Sequence, residues 1–126
     1  MFVCVNPSTA TASANDPTTQ KCIKIAKALN FGGVFIANLF AYRSPYPNAM
    51  RRAPAPVGPS NDRLLKRLAR TNATVVAAWG VNGAFRGRDR FVQGLFSQLF
   101  CLGRTRYRCP RHPLYVFGSF ALQPYP

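Results

Sequence analysis

Val34 to Tyr42 reads VFIANLFAY, nine residues broken in apolar character only by Asn38. A near-continuous run of this kind is expected of a strand buried on both faces, which occurs where helices cover both sides of a parallel sheet. The rest of the chain agrees with that expectation. Met1 to Val5 is a short apolar run closed by Asn6-Pro7, and Asp16-Pro17 then supplies a helix N-cap followed by proline at the first helical position. Cys22, Ile23, Ala26 and Leu29 share one face of the helix that follows, Lys21, Lys24 and Lys27 lie on another, and Gly32-Gly33 is expected to stop it. A proline-rich connection runs from Ser44 to Pro59. Ser60 then caps a helix with Leu64, Leu65 and Leu68 inward and Arg63, Lys66, Arg67 and Arg70 outward. TVVAAWG, Thr74 to Gly80, reads as a third strand, a further helix is expected between Ala84 and Gln98, and Leu99 to Leu102 as a fourth strand. Gly103 to Pro126 reads as a basic, proline-rich loop region. The fold class is therefore α/β: three layers, with a four-stranded parallel sheet between helices, in one domain spanning residues 1–126.

Charge narrows the chemistry. The net charge is +14, from 17 Lys and Arg against three aspartates and no glutamate. Self-repulsion on that scale favours a polyanionic partner, most simply nucleic acid. Asp16, Asp62 and Asp89 are too few and too scattered for the carboxylate clusters of two-metal nucleases or paired-carboxylate hydrolases. Cys4, Cys22, Cys101 and Cys109 contain no C-x-x-C pair, so neither a zinc ribbon nor a thioredoxin-like motif is indicated. Cys101, Cys109 and His112 could supply three metal ligands but lack an evident fourth, and buried reduced thiols are the expected state. No metal and no cofactor is expected. With no signal peptide and no stretch of transmembrane length, an intracellular protein without a membrane partner is expected.

In parallel α/β sheets ligands sit beyond the carboxyl ends of the strands. The polar residues collect there. Asn6 follows strand one, Asn38 lies in strand two with Arg43 at its end, Gly80 and Asn82 follow strand three, and His112 follows strand four. Each has an ordinary structural explanation. Asn6 to Thr9 can be a turn with side-chain caps, Trp79 can be core, and His112, the single histidine, can be a hydrogen-bonded loop residue. Asn38 is harder to dismiss, because an amide in a buried strand costs roughly 1–3 kcal/mol unless it finds partners.

Taken in order, NPSTA (Asn6 to Ala10), DPT (Asp16 to Thr18), NLFAYR (Asn38 to Arg43), GPSND (Gly58 to Asp62), AAWG (Ala77 to Gly80), GR (Gly87-Arg88) and RHPLY (Arg111 to Tyr115) resemble a family of short bacterial and phage proteins known only as a domain of unknown function. More distantly the set resembles the uracil-DNA glycosylase superfamily, with its Asn-Pro or Asp-Pro turn after strand one, its Asn in strand two, its WG ending strand three and its His-Pro loop after strand four. That resemblance implies a glycosylase-like fold and roles for particular residues. Asn6 would position the attacking water, a neutral amide being able to orient water but not to take its proton. Asn38 would read the Watson–Crick edge of an extruded base, with Pro7, Ser8 and Asn82 around it. His112 would donate to the base as negative charge develops on it. Arg43, Arg104, Arg106, Arg108 and Arg111 would hold phosphates, and the last four would also oppose protonation of His112.

Two functions follow as expectations: N-glycosidic cleavage of an unusual or modified base, or a non-catalytic module that binds nucleic acid on the same fold. DNA is expected in preference to RNA, and a monomer is expected.

Overall fold

The computed structural model describes residues 1–7 and 16–126. Strand β1, Phe2–Cys4, lies inside the sheet with all three residues buried. Its side chains alternate between two cores, as a strand's period of two requires. Phe2 and Cys4 pack with Cys22 and Ile25, whereas Val3 and Val5 pack with Met50, Leu65 and Val92.

Helix α1, Pro17–Ala28, begins where expected, with Asp16 Oδ1 accepting from the Thr19 amide at 2.8 Å. Its buried face is centred on Cys22, Ile25 and Ala26, with Ile23 and Leu29 only half-buried. Gly32-Gly33 does not end it. Asn30 does, in the left-handed region at φ 64°, while the amides of Asn30 and Phe31 close onto the carbonyls of Lys27 and Ala26. Asparagine tolerates that conformation better than other residues with a side chain, which is why a glycine was not needed.

Strand β2, Ile36–Asn38, pairs in parallel with β1, opposing Cys4 to Asn38. It is an edge strand, but its two faces still meet the two cores, Ala37 and Leu39 in one and half-buried Ile36 against the other, while Phe35 just before it is 60% exposed. The proline-rich connection hides a short helix, α2 (Pro47–Arg52), whose Met50 enters the core. Helix α3, Asn61–Thr71, buries Leu65 and leaves Leu64 47% exposed, because two adjacent residues cannot share one narrow face. Ser60 occupies the cap position without a side-chain capping bond. Strand β3, Val76–Ala77, pairs with β1 on the side opposite β2. The single helix expected over residues 84–98 is instead a 3₁₀ segment, Val81–Gly87, broken at Phe85 and Arg86, followed by α4, Arg88–Gln93. Strand β4, Leu99–Cys101, is parallel to β3.

The C-terminal segment is not merely loop. It forms a 3₁₀ turn, Pro113–Tyr115, and a strand, β5, Gln123–Tyr125, antiparallel to β4. The sheet thus has five strands in the order β2-β1-β3-β4-β5, mostly parallel, where four parallel strands were expected. Pro124 suppresses the strand signal of β5, and its tolerance there is that of an outermost strand. Helix α1 and Val116, Phe120 and Leu122 of the C-terminal segment cover one face, and α2, α3 and α4 the other.

A polar clamp fixes the end of β2. Asn61 Nδ2 donates to the carbonyls of Asn38 and Leu39 at 3.0 and 2.9 Å. Arg88 donates to the Leu39 carbonyl through Nε and Nη2 and pairs with Asp62 at 2.8 Å, while its guanidinium lies over Phe40 and Phe91. Arg88→Met keeps the apolar stem and removes the donors. It should destabilise the protein by about 2 kcal/mol, the range for hydrogen bonds to a charged group, in urea unfolding; an unchanged midpoint would show that the clamp contributes nothing. The full loss seen for a broken buried ion pair is not expected, since Asp62 is 42% exposed and rehydrates.

Candidate functional site

The order of strands reverses direction at β1: the chain steps from β1 outward to β2, then returns to place β3 on β1's other side. Beyond the carboxyl ends of two such neighbours the following loops diverge and leave a crevice. Here a cavity of about 1030 Å³ opens, lined after β1 by Cys4 to Pro7, after β2 by Asn38 and Arg43, after β3 by Trp79 to Asn82, and after β4 by Thr105, Arg111 and His112. The first turn of α1, with Asp16, Pro17, Thr18 and Thr19, completes it together with Tyr115 and Phe117.

Asn6 is held from the β2 side. Its Nδ2 lies 3.1 Å from the carbonyl of Tyr42, 2.8 Å from that of Ser44 and 3.2 Å from that of Pro7. The Ser44 amide in turn donates to the Pro7 carbonyl at 2.9 Å, so the Asn6-Pro7 turn and the loop after β2 form one stitched unit. With the NH₂ group engaged by carbonyls, the amide's orientation is set, and Oδ1 has no hydrogen-bond partner among the described residues. Asn38 is half-buried. Its backbone carbonyl is engaged by Asn61, but its carboxamide has no hydrogen-bond partner among the described residues.

His112 is set by two short-range contacts. The Gly80 amide donates to the Pro110 carbonyl at 2.9 Å, tying its loop to the end of β3, and the Leu114 amide donates to His112 Nδ1 at 3.3 Å. An accepting Nδ1 places the proton of the neutral ring on Nε2. Burial pushes the imidazole pKa below its ordinary value, with Asp16 opposing in part, so the ring is neutral near pH 7. Burial rather than arginine repulsion is the cause, which corrects the expectation from the sequence. Gly80 is at φ 64°, ψ −161°, a conformation essentially reserved for glycine, and a Cβ there would also lie 3.5 Å from that of His112. Gly83 is required by contact instead: a Cβ would fall 2.1 Å from the Trp79 ring.

The remaining expected residues divide. Pro7 and Asn82 line the cavity, Asn82 Oδ1 accepting from Arg51 at 2.9 Å, and Arg43 and Arg111 bring cations to it. Ser8 lies outside the described residues. Arg104, Arg106 and Arg108 are exposed but do not line the cavity. Arg104 donates to the Pro124 carbonyl at 3.1 Å and lies over Tyr125, and Arg106 lies over Tyr107. Their alternation in sequence does not make one face, because a turn closed by the Arg108 amide on the Thr105 carbonyl, with Arg108 at φ 64°, interrupts the strand-like period.

Two kinds of residue were missed. The sequence marks Asp16 as a helix cap, yet it is the one carboxylate among the residues lining the cavity. An aspartate capping the helix after β1 is a signal for this, since helix N-termini converge at the same sheet edge as the strand ends. The others are Tyr115 and Phe117, on the rim. Cys4 also lines the cavity, but its thiol pKa is pushed well up by the hydrogen bond with Cys22 and by burial, which disfavours the nucleophilic thiolate. Cys4, Cys22 and Cys101 are free and buried, Cys109 is free and half-buried, and Cys101, Cys109 and His112 do not gather into a ligand set. Among the described residues no helix is long and apolar enough to cross a membrane.

A protein-family model described as "Protein of unknown function (DUF1643)" matches residues 1–114. No curated protein and no solved structure matches the chain.

Proposed function

The chain belongs to the DUF1643 family, a membership that brings no activity with it, and from its site chemistry we propose that it acts on nucleic acid, hydrolysing the N-glycosidic bond of an unusual or modified base in DNA. One observation carries the reading. A neutral imidazole and a β2 carboxamide share one cavity, and neither the Nε2 donor of the first nor the second has a partner among the described residues.

The chemistry follows from those groups. Asn38 offers a donor and an acceptor side by side, as reading a base edge requires. When the bond between C1′ and the base nitrogen breaks, its electron pair stays with the base and negative charge develops on a ring carbonyl oxygen. His112 Nε2–H is the donor that meets that charge. Water adds at C1′. Asn6 Oδ1 orients it, and the proton it loses passes to the Asp16 carboxylate, since an amide cannot accept one. Arg43 and Arg111 hold the flanking phosphates. The likeness of the motif order to the uracil-DNA glycosylase superfamily, and the net charge of +14, support the same reading.

A second reading, a binder without catalysis, is favoured by a specific fact: Asp16 Oδ1 already accepts from Thr19, which leaves the carboxylate partly engaged. Oligonucleotides carrying a panel of modified bases separate the two. Incubation followed by alkaline cleavage at abasic sites should reveal strand breaks for at least one base. Tight binding of the panel without release of any free base would leave the binder.

A further inference from the structure

Extruded or unpaired bases need a flat apolar surface on which to stack. Among the described residues the carbocyclic or indole rings lining the cavity are those of Trp79, Tyr115 and Phe117. Trp79 is 1% exposed and lies beneath Gly83, so it has no free face to offer. Tyr115 and Phe117 are the reverse, 67% and 78% exposed.

Their exposure is built into the loop. Pro113 and Val116 are both buried, and the Tyr115 and Val116 amides close onto the carbonyls of His112 and Pro113 at 2.9 and 3.2 Å. The turn is thereby pinned at two points. Leu114, Tyr115 and Phe117 are left facing outward at the mouth of the cavity, where burial would ordinarily be favoured by a few kcal/mol for each. Cations accompany the rings. Lys21 Nζ lies 5.4 Å from the centroid of Phe117, and Arg43 and Arg111 line the cavity beside them.

Exposed apolar groups gathered on a rim mark an interaction site, and the mixture of rings with cations defines its partner. Rings stack on the face of any base, while cations take the phosphates between them. A duplex presents base edges in its grooves and no free base faces. A protein partner with an apolar patch would satisfy the rings but not a net charge of +14.

We propose that Tyr115 and Phe117 form a stacking shelf for unpaired bases, so that the cavity receives single-stranded DNA in preference to duplex. The proposal rests on the reading of the cavity as a base site and adds which form of the polymer reaches it.

Three probes test it by fluorescence anisotropy: oligo-dT of about 12 nucleotides, within the site sizes of single-strand binders, an all-abasic strand of equal length, and a duplex of equal length. The intact protein should bind oligo-dT about tenfold or more tighter than either of the others. Tyr115→Ala and Phe117→Ala should each weaken oligo-dT binding by about 5- to 100-fold, the effect of removing one stacking ring. Neither change should affect the abasic strand or the slope of affinity against salt, because no phosphate contact is lost. Both side chains are exposed, so thermal unfolding should match the parent protein and exclude misfolding as the cause. Equal affinity for oligo-dT and the abasic strand, or variants that bind oligo-dT as the parent does, overturns the shelf and leaves the cavity reading standing. Failure to bind any of the three probes overturns both.

Discussion

Asp16→Asn is expected to slow cleavage of the responsive oligonucleotide by about two to four orders of magnitude, the usual contribution of a positioned acid–base group. Folding stability should hardly change. Asparagine caps a helix about as well as aspartate, so the bond to the Thr19 amide at 2.8 Å survives the substitution. What disappears is the ability to take a proton. Asp16→Ala removes both, and should add a loss of about 1 kcal/mol in unfolding free energy from the missing cap. The pair of variants therefore separates capping from chemistry at one residue. Single-turnover cleavage by Asp16→Asn at the parent rate would leave Asp16 a helix cap and nothing more.

His112→Ala should lower the chemical step by about two to three orders of magnitude, as when one preorganised donor is removed from a site of developing charge. Affinity for the oligonucleotide should change little, because the proposed phosphate contacts fall to Arg43 and Arg111, which line the cavity, and not to His112. The same substitution has a signature in pH. Burial holds the folded-state pKa of His112 below its ordinary value of 6.5, so between the two values the unfolded chain binds the extra proton. The His112 contribution to stability accordingly rises with pH through that window and is flat above it. His112→Ala should abolish this rise below pH 6.5 while leaving the pH dependence above it, to which the half-buried Met1 amine contributes, unchanged. Nitrogen chemical shifts provide a direct check: the ring should be neutral at pH 7 with its proton on Nε2. An imidazolium at that pH, or undiminished single-turnover cleavage by His112→Ala, would remove the histidine from the reaction.

Where the sequence was legible, the signal was local. Asp16-Pro17 announced the start of α1 because capping is a contact three residues long. The apolar runs around Val3, Val76 and Leu99 became strands because their two faces meet two separate cores. The misreadings concern what lies beside an element rather than within it. VFIANLFAY looks the same at the edge of a sheet as in its middle, and only the crossover from β1 to β3 makes β2 the edge. Pro124 conceals a strand whose existence depends on β4 as a template, and on side-chain ties from Arg104 and Gln93 to the carbonyls of Pro124 and Pro126. For the site, Asn6, Asn38 and His112 could be placed at one sheet edge from strand order alone, and they line one cavity. Asp16 could be named as a cap from its neighbours. Its place in the cavity depends on where the N-terminus of α1 falls relative to the end of β1, a tertiary relation that no local pattern records. The arginines of the 104–108 segment illustrate the same limit, since a turn residue at positive φ redirects them without any change in their spacing.

The cavity is walled by loops far apart in sequence, those of Asn6 and His112, brought together by the sheet and by the packing of Val116 on helix α1. Bringing such distant segments together requires closing most of the chain into a loop before the contacts that reward it can form. Strand β1, between β2 and β3 in the sheet, stays without its neighbour β3 until some seventy further residues have been made. Ligand affinity therefore cannot accumulate gradually as the chain lengthens. It should appear all at once, late, when the His112 loop seats against Gly80, and a ligand trapped there would act as a latch on the entire topology rather than on any one segment of it.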